Sequence, residues 1–219
     1  DKRLLALTEN HIVHRRNRQW IEGSPEAVLA VEFFGRSDLE IHKKIKTLTA
    51  SLKTQKLGYA YPVISTADTT NVWAIRKAGL GLLMGVNQPK KPVAVIEDSA
   101  VAPSDLFSYT KAISAIMARE KINCVYYGHA SVGLLHLRPE LDLAQSEDLL
   151  LFTALADEIA DLVKRFNGSL SGEHGDGRLR GPFLEKMVGA ELYDAHEDIK
   201  KAFDPDAIFN PGKILTKAP

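Results

Sequence analysis

Four short β-prone runs interrupt a chain otherwise patterned for amphipathic helices, and their irregular order is what most constrains the fold. Strands are expected over 27–34 (AVLAVEFF, ending at Gly35), 92–97 (PVAVIE), 123–127 and 134–137. Ser37 reads as an N-cap for a helix over 38–57, in which Leu39, Ile41, Ile45, Leu48 and Leu52 recur at helical spacing until Gly58. Further helices are expected over 70–84, loosened at its end by Gly79, Gly81 and Gly85, and over 103–120 and 146–166. A glycine-rich stretch, 168–181, then leads into helix as far as residue 202. Strand, helix, helix, strand, helix, strand, strand, long helix is not the regular alternation of a doubly wound sheet. It predicts an α+β fold, an antiparallel sheet with helices packed on one face, followed by a helical tail.

Composition narrows the function. Lysine plus arginine and aspartate plus glutamate are each 28, so the basic excess of a nucleic-acid binder is missing. The single cysteine, Cys124, excludes an internal disulfide and an iron–sulfur cluster held by this chain alone. No apolar run approaches the length needed to cross a bilayer. Gly79-Leu80-Gly81-Leu82-Leu83-Met84-Gly85 misses the dinucleotide-binding spacing by one residue and follows a helix rather than a strand, and there is no Walker A sequence. The chain is not expected to hold a nucleotide by itself. Residues 1–21, with Lys2, Arg3, Arg15, Arg16 and Arg18, read as a basic helical linker to an upstream domain, and residues 22–219 as the domain proper. A start at Asp1 suggests a piece of a longer cytoplasmic protein.

The segment most informative about chemistry is Gly128-His129-Ala130-Ser131-Val132-Gly133-Leu134-Leu135-His136. A hairpin turn centred between Val132 and Gly133 would set His129 opposite His136, with Cβ atoms about 4.5–5.5 Å apart on one face. Two imidazoles so placed can close on one divalent ion at roughly 2.0–2.1 Å each; two half-buried histidines bonded to backbone are the alternative. Ser171-Gly172-Glu173-His174-Gly175-Asp176-Gly177 packs glycines around an acid, an imidazole and a second acid. Glycine at that density lets backbone approach a ligand closely. Glu173 would complete a two-histidine, one-carboxylate site with open positions, and His174 would serve as a nearby base. A solvated flexible loop is the competing reading. Ser131 lacks the glycine two residues upstream that a nucleophile elbow needs, and Cys124 reads as a small core residue. Arg138 lies two residues past His136 and so shares its face, where its fork would suit a carboxylate; Arg76, three residues after Trp73, is a second anion candidate.

GHASVGLLHLRP, SGEHGDG and FDPDAIFNPGK, in this order, resemble the C-terminal half of FAD-linked oxidases of the vanillyl-alcohol oxidase type. That family includes glycolate oxidase large subunit, D-lactate dehydrogenase and D-2-hydroxyglutarate dehydrogenase. The likeness runs from Glu22 to Lys213, and the hairpin is most similar to the large members that continue into an iron–sulfur domain. It implies a ferredoxin-like substrate or cap domain, with FAD held mainly by a separate upstream domain. It implies that His129, His136 and Glu173 bind a divalent metal of the zinc or manganese class and that His174 is the base. Arg76 would hold the substrate carboxylate, and Asn210 and Lys213 would lie where the tail reaches the flavin. Most relatives carry Gly-Asp-Gly-Asn between the two histidines, whereas Ser131-Val132-Gly133-Leu134 stands here. A lysine of the hydroxyglutarate members falls at Ile96, and Arg138 replaces an asparagine, so carboxylate binding is expected to involve Arg138.

The expected function is therefore the substrate-binding domain of an FAD-dependent dehydrogenase that oxidises a D-2-hydroxy acid (lactate, glycolate or 2-hydroxyglutarate class) to the 2-oxo acid. It would be silent without its flavin domain and cytoplasmic, or peripheral to the inner membrane through an electron-acceptor partner. A stand-alone metal-dependent hydrolase and a non-catalytic docking module are the alternatives.

Overall fold

A computed structural model describes residues 1–215. The chain divides into two compact units, residues 1–85 and the residues from Val86 onward.

In the first unit, α1 (Lys2–Leu7) places the buried Leu4 against Gly79 of α3 (Thr69–Met84). A Cβ at Gly79 would stand 2.8 Å from Leu4 Cδ1, so this glycine permits close helix packing, and α3 runs unbroken to Met84. Beyond α1, Arg18 ties the N-terminal segment together by donating to Leu5 O and Thr8 Oγ1, each at 2.6 Å. Helix α2 (Asp38–Thr54) starts where Ser37 predicts: its hydroxyl accepts from Glu40 N at 3.3 Å while the Glu40 carboxylate accepts from Arg36 N at 2.9 Å. The expected strand over 27–34 does not form. These residues enter no ladder among the described residues, and Leu29, Val31 and Phe34 are exposed. β-propensity reports how well a side chain packs against neighbouring strands, and this segment has none beside it.

The second unit carries an open antiparallel sheet. It comprises β1 (Lys91–Pro92), β2 (Ser99–Ala100), β3 (Cys124–His129) and β4 (Leu134–Leu141), with α4 (Leu106–Arg119) between β2 and β3. Strand β4 is central. It pairs with β3 along one edge, while β1 and β2 share the other edge end to end, opposite Leu141 and Glu140 and opposite Leu135 and Leu134. The α+β architecture is thus as the sequence predicts, but the run over 92–97 is broken by a turn at residues 95–98. An unbroken strand would send Val95 and Ile96 to opposite faces; the turn buries both in the core.

Along β4 the two faces separate cleanly. Leu137 and Leu141 pack in one cluster with Tyr109, Ile113 and Ile116 of α4 and with Leu155, Ile159 and Val163 of α5 (Ser146–Arg165). Both helices therefore cover that face, while His136 and Arg138 point to the other. Short helices α6 (Gly177–Arg180) and α7 (Leu184–Val188) follow the glycine-rich stretch, and α8 (Ala190–Phe203) leads into the tail.

The β3–β4 register differs by two residues from the expected one. Tyr127 pairs with His136 and His129 with Leu134, because residues 130–133 form a 3-10 turn closed by Gly133 in the left-handed region at φ +71°. A two-residue shift preserves parity, so both histidines still share a face, but as diagonal rather than opposed neighbours. A Cβ at Gly133 would also lie 1.8 Å from the Val101 carbonyl oxygen. Gly133→Ala should therefore lower stability in urea unfolding by about 2–3 kcal/mol. Gly175→Ala, at φ +78° with nothing within 4 Å, should cost only about 1 kcal/mol. Equal losses would show that the Val101 contact is irrelevant.

Candidate functional site

The site lies on the face of the second unit's sheet opposite α4 and α5, where the hairpin, the 95–98 turn and the glycine loop meet. The loop is fastened first by main chain: Ser169 and Ala100 exchange N–H···O bonds of 2.8 and 2.9 Å, and Gly172 N donates to Asp98 O at 2.7 Å. A Cβ at Gly172 would meet Leu134 Cδ1 at 2.4 Å, so any larger residue there would have to displace that buried side chain.

Asp98 then fixes the tip. Its carboxylate is fully buried and accepts from Ser171 Oγ (2.7 Å), His174 N (2.8 Å) and Glu173 N (3.2 Å). Burial pushes this carboxyl up. The N–H of His174, the Ser171 hydroxyl, the N–H of Glu173 and the nearby His174 imidazole outweigh burial and hold it below the usual carboxylate range. With its oxygens engaged by these donors, Asp98 acts as an anchor for the loop.

What the loop presents is one carboxylate oxygen facing three imidazoles. Glu173 Oε1 lies 3.1 Å from His136 Nε2, 3.4 Å from His174 Nε2 and 3.7 Å from His129 Nε2. The His136 and His174 rings stack at 5.2 Å and 9°, and the His129 ring meets His136 edge-on at 5.7 Å. His136 is buried, and burial lowers its pKa below the ordinary histidine value. Its Nδ1 lies 2.9 Å from the Glu97 carbonyl oxygen. A carbonyl can only accept, so Nδ1 carries the proton of the neutral ring and Nε2 turns a lone pair toward Glu173. Two acceptors face each other there, an arrangement that a cation between them would satisfy. Ligand atoms from Asp98, His136, Glu173 and His174 all lie within 4.8 Å of one another, which fits a divalent ion with nitrogen and oxygen ligands.

The structure brings His129, His136, Glu173 and His174 together, with His129 the most peripheral. Arg138 reaches the same face, but its Nη2 forms an ion pair with Glu97 and its Nε donates to the Tyr127 hydroxyl at 3.2 Å. Arg76 lies on α3 of the first unit. Asn210 and Lys213 are exposed in the tail, where Lys213 Nζ donates to Asn210 Oδ1 at 3.3 Å. Cys124 is buried on the core face of β3, in keeping with a packing role. Reasoning from sequence missed Glu97 and Asp98, which it treated as the end of a strand, and Tyr127. The signal available was two consecutive acids closing an apolar run.

Compared with known proteins, residues 1–214 match the family of FAD linked oxidases, C-terminal domain. The chain belongs to that family. It is 33% identical to D-2-hydroxyglutarate dehydrogenase of Haemophilus influenzae across 99% of this chain and 22% of that protein. It is 30% identical to glycolate oxidase subunit GlcD of Bacillus subtilis, covering 89% of this chain and 40% of that protein. D-lactate dehydrogenase of Anaerostipes hadrus is likewise 30% identical, over 99% of this chain and 45% of that protein. The chain thus spans between about a fifth and less than half of these relatives' lengths.

Asp98→Asn places an amide NH2 among N–H and O–H donors. It should lower stability by about 1–3 kcal/mol and speed hydrogen exchange at Gly172, Glu173 and His174. Because the folded Asp98 value lies below the unfolded one, its contribution is complete above the ordinary carboxylate range and lost as pH falls through the depressed value. Acid titration of stability should show this component in the parent and not in Asp98→Asn. An identical acid profile in both would contradict the anchoring role.

Proposed function

We propose that this chain is the substrate-side domain of an FAD-dependent dehydrogenase that oxidises a D-2-hydroxy acid to the 2-oxo acid. The observation that carries the reading is the convergence of His136, His174 and His129 Nε2 on Glu173 Oε1, within 3.1–3.7 Å. Such a donor set suits a small oxygen-bearing substrate and a divalent cation together. His129, His136 and Glu173 would hold the cation, zinc or manganese by class. When bound, that cation supplies Lewis acidity that lowers a hydroxyl pKa, and FAD supplies the two-electron acceptor for the hydrogen at the substrate's Cα.

The chain's own side chains do the rest. His174 takes the hydroxyl proton at Nε2, the ring nitrogen on the Glu173 side. Arg76 is the residue proposed for the substrate carboxylate. Arg138, already engaged by Glu97 and Tyr127, adds positive charge to the second unit's site rather than an open fork. Asn210 and Lys213, exposed and hydrogen-bonded to each other, fit a contact with a flavin held mainly by another domain. The flavin-binding domain, a downstream iron–sulfur domain and a membrane-peripheral electron acceptor belong to the same reading. Among the described residues no helix is long and apolar enough to cross a membrane. The similarity to a D-2-hydroxyglutarate dehydrogenase and a D-lactate dehydrogenase supports the substrate class.

Titration of the chain with Zn2+ or Mn2+ should give one bound equivalent, lost in His136→Ala and in Glu173→Ala. Binding that survives both substitutions would sink the site. Added D-lactate or D-2-hydroxyglutarate should not be oxidised by the chain alone, and turnover without a flavin domain would contradict the division of labour.

A further inference from the structure

Glu97 is the acid at the back of the site. It sits in the turn that breaks the edge strand, and its side chain is only 13% exposed. It touches three members of the site. Its carbonyl oxygen accepts from His136 Nδ1 at 2.9 Å. One carboxylate oxygen pairs with Arg138, whose side chain is 8% exposed, and the other lies 3.3 Å from His174 Nδ1. Asp98 Oδ1 approaches the same nitrogen at 3.6 Å.

His174 Nε2 faces one carboxylate oxygen, Glu173 Oε1 at 3.4 Å, whereas Nδ1 faces two, at 3.3 and 3.6 Å; as an ionised carboxylate can only accept, the balance of acceptors favours the proton of the neutral ring on Nδ1. That leaves the Nε2 lone pair on the Glu173 side. Glu97 itself is held by the Arg138 guanidinium, which Tyr127 steadies in turn. The carboxylate therefore has little freedom to leave His174.

We propose that Glu97 is the positioning residue of this site. Its carbonyl fixes the His136 tautomer and its carboxylate fixes that of His174, so that both Nε2 atoms present lone pairs to one point beside Glu173. An orienting acceptor behind an imidazole is the arrangement that raises ligand basicity and selects the ring face. The inference deepens the cation-site reading and rests on it for its purpose, but the tautomers it assigns exist without any metal.

Glu97→Gln is the test. The guanidinium of Arg138 only donates, so the glutamine oxygen turns to Arg138 and its NH2 faces His174 Nδ1. In 15N-histidine spectra of the full chain at alkaline pH, both rings of the parent should be Nδ1–H. In the variant His136 should stay unchanged, because its partner is main chain, while His174 shifts toward Nε2–H. A parent His174 in the Nε2–H form overturns the proposal, and so does a His174 tautomer ratio unmoved in Glu97→Gln. Should the variant fail to fold, the parent spectrum decides alone. Failure of the parent to bind Zn2+ would count against the cation site, leaving Glu97 to be judged by the tautomers.

Discussion

The buried Asp98 carboxylate accepts from Ser171 Oγ and from the main-chain N–H groups of Glu173 and His174, while Asp98 O accepts from Gly172 N. A glycine-rich loop has a large conformational entropy to lose on ordering. Without these bonds nothing would oblige residues 171–174 to stop where they do. With them, the side chains of Glu173 and His174 are delivered to the imidazoles of a hairpin distant in sequence. An uncompensated carboxylate in that position would be costly; here donors outnumber the loss of water, and the charge stays on the carboxyl.

Asp98 can reach the loop because the edge strand breaks. Residues 95–98 turn so that Val95 and Ile96 both enter the core while Glu97 and Asp98 go to the opposite side. One local departure from regular β geometry thus does two jobs, filling the core beneath α4 and α5 and placing two acids behind the histidines. Glu97 is tied to Arg138, and this pairing of charges explains how both side chains can be largely buried. Removing one member of a buried pair is more damaging than never having had the pair.

The hairpin shows how parity protects a site. Shifting the β3–β4 register by two residues moves His129 from opposite His136 to a diagonal position beside it, yet leaves both on the same face. A shift of one would have sent His129 into the core. The shift follows from Gly133, whose left-handed conformation closes a four-residue loop, a detail of turn geometry that the letters Ser-Val-Gly do not settle. The unpaired 27–34 segment is the converse case, in which strong β-propensity finds no ladder.

Sequence alone determined the class of fold, the bounds of the long helices and the placing of His129 and His136 on one face of a hairpin. Helical periodicity, glycine density and parity along a strand are all local, and local order survives translation from letters to structure. Family membership was also legible in the three motifs, each short and in fixed order. Only the tertiary structure decided that Arg138 is engaged by Glu97 and that Asp98 anchors the glycine loop. It alone showed that His136 and His174 turn the same nitrogen toward Glu173. These depend on contacts between residues 39 to 76 positions apart, and which buried donor meets which acceptor at such separations is fixed by how layers pack, not by any neighbouring letter.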